Sequence, residues 1–370
     1  MSQGEDSAAI ESINMLCQAS DIAQPSLLHS FHPFKMKSSL GSLCLRALAL
    51  VATVAALPSP EPNNALVKRA SRTSPPSGCL TVGGSGTYSD INAALSALGT
   101  GTTAKCIFIY SGTYTVTEQI HITYKGPLTL YGYTTDTGSF EQNVVNFQRS
   151  LKSADAGSLD KSATMNVVAS NFKAYNINFK NTFGKGAQAV AVCANGDRQG
   201  YYGCGFYGYQ DTLYAKAGHQ YYSNCYMEGA VDYIFGNAAA WFGECTIASN
   251  GNGAITATSR RVADEATWYV IDHSTVTAAA GQSLAGKVYL GRPWRAFSRV
   301  MYQNSVLTNV VAPRGWSTMY DGATPLFYEY NNSGDGADTS KRQYESESNG
   351  TISKDTVFGS GWKDWIDTSY

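Results

Sequence analysis

The sequence predicts an all-β chain wound as a parallel β-helix, a solenoid of short strands closed at its N-terminal end by one capping helix. Three observations carry this prediction. Short runs of β-branched and aromatic residues recur along the chain (CIFIYSGTY, IHIT, LTLYGY, NVVASNFKAYNINF, AVAVCAN), each broken by Gly, Asn or Asp. Between Tyr201 and Cys245 the chain nearly repeats itself: Cys204, Cys225 and Cys245 follow at intervals of 21 and 20, each preceded by a paired aromatic, and Asp211 and Asp232 are 21 apart. A period near 20 is the mark of coils stacked one on the next. Third, helix signals are confined to Tyr88–Gly99, so no helices separate the strands as a doubly wound sheet requires.

In that helix Ile91, Ala94, Leu95 and Leu98 fall on one face, Ser89 or Asp90 can cap the start, and Gly99 ends it. A lone amphipathic helix ahead of a solenoid reads as an end cap. FKAYNINFKNTF (Phe172–Phe183) is a weaker, earlier copy of the repeated coil, and GAITATS, WYVIDHSTV, KVYLG and RVMYQNSVL continue the strands. After Pro313 periodicity fades, and Trp362 and Trp365 in the tail are expected to fold back over a sheet face or the last coil.

The N-terminal region has a different grammar. Lys35 and Lys37 precede the apolar run Ala47–Leu57, which ends in small residues and is too short to span a bilayer. This predicts a signal peptide over residues 36–56, behind an unassigned extension at 1–35 that reads as a gene-model artefact. Residues 57–69 read as a Pro-rich pro-segment ending at Lys68-Arg69, leaving one β-solenoid domain at 70–370. Asn331 and Asn349 stand in glycosylation sequons on that secreted chain.

Composition narrows the partners. Of 370 residues only 15% are charged, net charge is −1, and no basic stripe appears, which excludes a nucleic-acid or anionic-membrane surface. The 24 Tyr and 36 Gly suit an extracellular β protein that meets carbohydrate. Six of the eight cysteines lie beyond the signal. None forms a C-x-x-C pair, so neither a metal site nor a cofactor is expected; six are compatible with disulfides, whose pairing the spacing cannot give, while most read as small residues stacked inside the coils.

The period itself makes a chemical statement. Residues one coil apart lie about 4.8 Å from each other, the spacing of neighbouring strands. Asp211 and Asp232 are then side by side, and two carboxyls so placed share a proton, one pKa being pushed up. Gln188 precedes Gln210 by 22, about one coil, so successive coils present Gln, Gln-Asp and Asp on one face. Two amides beside an acid pair can donate to an oxyanion, and the set suits acyl transfer to a carboxylate nucleophile. A polar ladder that only satisfies backbone groups explains the same stacking, and spacing alone leaves the two readings level. Arg292, in LGRPW, is the natural partner for keeping one Asp ionised.

The motifs GAQAVA (Gly186–Ala191), GYQDTLY (Gly208–Tyr214), VDYIFGNAAAWF (Val231–Phe242) and LGRPW (Leu290–Trp294) together resemble those of the pectin methylesterases, in that family's order, and the resemblance covers most of Thr81–Trp365. It implies a right-handed parallel β-helix and an aspartyl esterase that demethylates pectin (methyl-esterified homogalacturonan) with water and no cofactor. It implies Asp232 as nucleophile, Asp211 as general acid and then base, Gln188 and Gln210 as the oxyanion hole, and Arg292 as the group that orients Asp232. Trp294, Tyr214 and Phe235 match substrate-cleft aromatics. A secreted monomer acting on plant cell wall is expected. Two departures stand out: Tyr233 replaces the family's Phe in VDFIFG, and Val116 stands where the early G-x-Y-x-E motif has Glu, which follows at Glu118. A pectin or pectate lyase-like β-helix would want an acidic calcium cluster, for which the sequence offers no convincing candidate. A non-catalytic pectin-binding β-helix would want loss of one of the five polar site residues, and all five are present.

Overall fold

A coil of this chain is three strands long. Gln199–Tyr202 is followed by Gly205–Tyr207 and Leu213–Ala217, and the chain then returns beside its starting strand at His219–Ser223. Repetition of that path generates, among the described residues, three parallel sheets of ten, eight and seven strands, the parallel β-helix expected. The structure is a computed structural model and describes residues 70–370; the predicted extension, signal peptide and pro-segment lie outside the described residues.

From the coil of Phe172–Tyr175 onward, the turn out of the ten-stranded sheet repeats. Asn176, Gly203, Asn224, Glu244, His273, Asn304 and Asn331 each take a left-handed conformation there, with φ between 48° and 58°. Asn and Gly tolerate that region best, which explains why they dominate the ladder. The residue that follows points inward: Cys204, Cys225 and Cys245 are buried free thiols, continued by Ser274 and Ser305. Each Cys Sγ faces the carbonyl two residues before it, and Ser274 Oγ donates to Asp272 O at 3.0 Å in the same way. Thiol and hydroxyl thus occupy one structural position, as small buried groups rather than redox pairs. Among the described residues one disulfide forms, Cys79–Cys106, and it ties the first strand to its neighbour.

Three residues before each of these cysteines an aromatic ring enters the core. Tyr201, Tyr222 and Phe242 stack with centroids 5.0 and 4.7 Å apart, and their planes are nearly parallel. The buried hydroxyls are satisfied, Tyr201 donating to Gln199 Oε1 and Tyr222 to Gln220 Oε1. The pairing of aromatics in the sequence is only partly in register. Tyr201 pairs with Tyr222, so Tyr202 lies outside beside Ser223, whereas Tyr221 and Trp241 lie outside on the next two coils.

The capping helix α1 (Ile91–Ala97) starts at Asp90, whose Oδ1 accepts from Ala93 N at 2.9 Å, and buries Ile91 and Ala94. Further short helices, α2 (Ser153–Ala156), α3 (Leu159–Ser162) and α4 (Lys354–Phe358), were not legible as periodic patterns because four or five residues cannot show one. Val116 packs against the core and its N–H bonds Gln148 O, so the early motif departure leaves the first coils paired.

Residues 354–370 form a strap over the outer face of the ten-stranded sheet. Val357, Trp365 and Ile366 pack on Tyr175, Tyr202, Tyr221, Trp241, Val270 and Met301, which belong to six successive coils. Tyr175 Oη donates to Asp367 Oδ2 at 2.9 Å, Asp367 N donates to Tyr202 Oη at 2.8 Å, and Tyr370 Oη donates to Asn176 Oδ1 at 3.0 Å. Trp365 therefore covers a sheet face, one of the two positions expected for it.

Candidate active site

Between the eight- and seven-stranded sheets each coil makes a short crossing, residues 208–212 in one coil and 230–233 in the next. Asp211 N donates to Val231 O at 3.0 Å and Asp232 N donates to Ala254 O at 2.7 Å, so the two aspartates hold the same place on adjacent coils. Both have left-handed backbones, φ 63° and 49°, a conformation Asp accepts more readily than most residues. It lets the chain turn into the seven-stranded sheet immediately afterwards, with Leu213 and Ile234 paired in the core.

Both carboxyls are buried, Asp211 at 5% and Asp232 at 6% exposure, yet their surroundings differ. Arg292 Nε donates to Asp232 Oδ1 and Nη2 to Oδ2, each at 2.8 Å, a bidentate charge-assisted pair. Arg292 follows the strand Val288–Gly291, and its N–H bonds Thr256 O, one coil beyond Asp232. It therefore reaches back across an intervening coil. Gly291 permits the approach: a Cβ there would stand 2.2 Å from Thr256 Oγ1. Asp211 has no such clamp. Burial first, then the charge of Asp232, pushes its pKa well above the usual carboxyl range, with Arg292 opposing weakly. One carboxyl is gripped by a guanidinium, and its neighbour, without one, is pushed toward the protonated form.

Gln188 and Gln210 lie beside the pair on adjacent coils. Val192 stands opposite Leu213, 21 residues on, but Ala191 N and Val192 N both donate to Thr212 O and Ala189 N donates to Gln210 O at 3.0 Å, so the register ahead of that strand is 22 residues. Opposite Gln210, as its spacing suggests, therefore stands Gln188. Its Oε1 accepts from Ser153 Oγ at 3.2 Å. No described residue accepts a hydrogen bond from the NH2 of either glutamine, so both are free to donate.

Tyr214, Phe235 and Trp294 come together as a wall beside the acids. Tyr214 and Phe235 stack at 4.3 Å between centroids, and Trp294 tilts against Phe235 at 5.9 Å. Below them Val190, Cys193 and Ala257 form a small apolar base. Two features escaped the sequence. Lys216 pairs with Asp160 and sets its ammonium 5.5 Å over the Tyr214 ring, and Ser153 holds Gln188. Both join residues far apart in the chain, and no local spacing announces them. Among the described residues no group of three His, Cys, Asp or Glu side chains converges as metal ligands do. A cavity of about 530 Å³ lies between α1 and residues 118–125, lined by Asn92, Ser96, Glu118, His121 and Tyr124, and none of the acid-pair residues borders it.

The arrangement sets a carboxyl gripped by a guanidinium beside one whose pKa is raised, with two amide side chains and an aromatic wall next to them. Comparison with known proteins gives the family. The pectinesterase family model matches residues 79–367. A probable pectinesterase A of Aspergillus fumigatus is 62% identical over 303 residues, 82% of this chain and 93% of that one. Pectinesterase A of Emericella nidulans is 60% identical over the same shares. Among solved structures, the pectin methylesterase of Aspergillus niger superposes with a TM-score of 0.80 at 61% identity, covering 81% of this chain and all of that one. The pectin methylesterase from carrot gives 0.66 at 31% identity, covering 73% of this chain and 87% of that one.

Proposed function

From the premise that the chain belongs to the pectinesterase family, we propose that it hydrolyses the methyl esters of polygalacturonate through Asp232 as nucleophile and Asp211 as proton carrier. The Asp232 carboxylate attacks the ester carbonyl carbon, and the carbonyl oxygen becomes an oxyanion that takes hydrogen bonds from the NH2 groups of Gln188 and Gln210. Collapse breaks the bond to the methoxy oxygen, which receives the Asp211 proton and leaves as methanol. Asp211, now a carboxylate, takes a proton from water as that water attacks the acyl-enzyme. Collapse of the second intermediate returns the Asp232 carboxylate, a galacturonate carboxyl and a protonated Asp211.

The observation that carries this reading is the asymmetry of the pair. Arg292 grips both oxygens of Asp232, while Asp211, buried beside it, keeps its proton. Two carboxyls in such unlike surroundings take separate jobs. Tyr214, Phe235 and Trp294 are assigned to the sugar cleft, since aromatic faces pack on the apolar faces of pyranose rings. Secretion through the segment at 36–56, removal of residues 57–69 and action as a monomer on the plant cell wall complete the proposal. Their support is the signal-like grammar of the N-terminus and the pectin-acting names of the relatives.

Asp232→Asn tests the assignment. Methanol release from methylated pectin should fall to background while the circular dichroism spectrum and melting temperature stay near wild type. Turnover at the wild-type rate removes Asp232 from the mechanism. Appearance of unsaturated uronides, read at their ultraviolet absorbance, would instead mark a lyase.

A further inference from the structure

We propose that Ser153 is a positioning residue for this reaction, orienting the Gln188 carboxamide and strengthening it as an oxyanion donor. The inference rests on the reading of Gln188 given above. A carboxamide has a donor end and an acceptor end of nearly the same shape, and only its NH2 can stabilise an oxyanion. Ser153 engages the other end: its Oγ donates to Gln188 Oε1 at 3.2 Å, and its backbone N–H donates to Gln188 O at 2.8 Å. Side chain and main chain of Gln188 are thus clasped by one residue. A hydrogen bond donated to an amide oxygen also polarises the amide, so that its N–H donates more strongly.

The segment that carries Ser153 is itself fixed. Asn181, buried at 3% exposure, donates through Nδ2 to Leu151 O, Ser162 O and Val190 O at 2.9 to 3.1 Å. Its Oδ1 accepts from Leu151 N at 3.3 Å, and Ser162 Oγ accepts from Val190 N at 3.3 Å. Both ends of the loop 151–162 are therefore stitched to the stretch 188–190 that delivers Gln188. Ser153 sits within that stitched loop with its hydroxyl on the acceptor end of the glutamine.

Steady-state methanol release by the full chain tests this in four variants. Losing one neutral hydrogen bond of about 1 kcal/mol predicts a kcat about fivefold lower for Ser153→Ala, with KM nearly unchanged. Ser153→Thr, which keeps the hydroxyl, should recover wild-type kcat. Gln188→Ala removes the donor and should cost about a hundredfold in kcat. The double variant Ser153→Ala/Gln188→Ala should be no slower than Gln188→Ala alone, because Ser153 acts only through Gln188. The proposal is overturned if the two losses multiply, if Ser153→Ala keeps wild-type kcat, or if Ser153→Thr is as slow as Ser153→Ala. Gln188→Ala at wild-type rate fails differently: it removes the oxyanion reading on which the role of Ser153 depends. If Ser153→Ala does not fold, Ser153→Cys takes its place, and its weak thiol donor should give a kcat between those of Gln188→Ala and wild type.

Discussion

Replacing Asp211 by Asn should abolish methanol release and yet leave the protein increasingly more stable than wild type as pH rises. Asp211 is 5% exposed, and burial together with the Asp232 charge raises its pKa in the folded protein. In the unfolded chain the same carboxyl titrates near its ordinary value of about 3.9. Above that value the unfolded state gives up the proton while the native state keeps it. The native state then binds more protons, and stability falls with rising pH by about 1.4 kcal/mol per unit. The fall ends where Asp211 ionises in the folded protein; the stabilisation is complete below the unfolded value and gone above the folded one. Asparagine has nearly the same shape and no proton to lose, so the variant escapes this slope. Urea midpoints of wild type and Asp211→Asn, measured side by side from pH 3.5 upward, should diverge at that rate and then run parallel. The pH at which they become parallel is the folded pKa of Asp211, read without any catalysis. Curves parallel throughout would mean that Asp211 titrates as an ordinary carboxyl, and its role as a resident acid would fall with that result.

Other perturbations probe the clamp, the staple and the strap. Arg292→Met leaves a buried carboxylate without its cation and should cost about 3–5 kcal/mol of stability along with activity. An unchanged urea midpoint would show the pair to be energetically idle. Arg292→Lys, which cannot reproduce the bidentate grip, should recover only part of each. Opening Cys79–Cys106 by a double Ala substitution frees a span of 27 residues. In the chain-entropy account this lowers stability by about 3.5 kcal/mol, checked by urea denaturation, while methanol release at 25 °C stays intact. Trp365→Ala should cost about 3 kcal/mol in the same assay and leave kcat unchanged, because the strap lies on the ten-stranded sheet and the acids precede the seven-stranded one. A lower kcat in fully folded Trp365→Ala would break that separation.

Much of this molecule was legible in its sequence because a solenoid turns distance in space into distance along the chain. The 21-residue interval between Asp211 and Asp232 is one coil, so their adjacency could be read directly. Where coils differ in length the same reasoning slips. Tyr201-Tyr202 is out of step with Tyr221-Tyr222 although both read as aromatic pairs, because Tyr201 pairs with Tyr222 and Tyr202 with Ser223. Contacts that skip coils or join loops left no period to detect. Arg292 lies 60 residues from Asp232, and Ser153 lies 35 from Gln188. The grip on Asp232 was inferable from charge, since a buried carboxylate needs a cation. The clasp on Gln188 was not, since a serine in a polar loop is indistinguishable from any other. The partner of Cys79 was unreadable for the same reason.

The strap has a consequence for the order of events during synthesis. Residues 354–370 lie C-terminal to every coil they clamp, from Tyr175 to Met301. A growing chain can therefore stack coil upon coil by local pairing, each needing only its predecessor. Until the strap arrives, the outer row of Tyr175, Tyr202, Tyr221 and Trp241 remains bare. Six coils made at different times are then fastened together by one late segment. Before that moment the stack can fray coil by coil; afterwards those coils must come apart together. The segment that never approaches the acids thereby decides when the protein that carries them is finished.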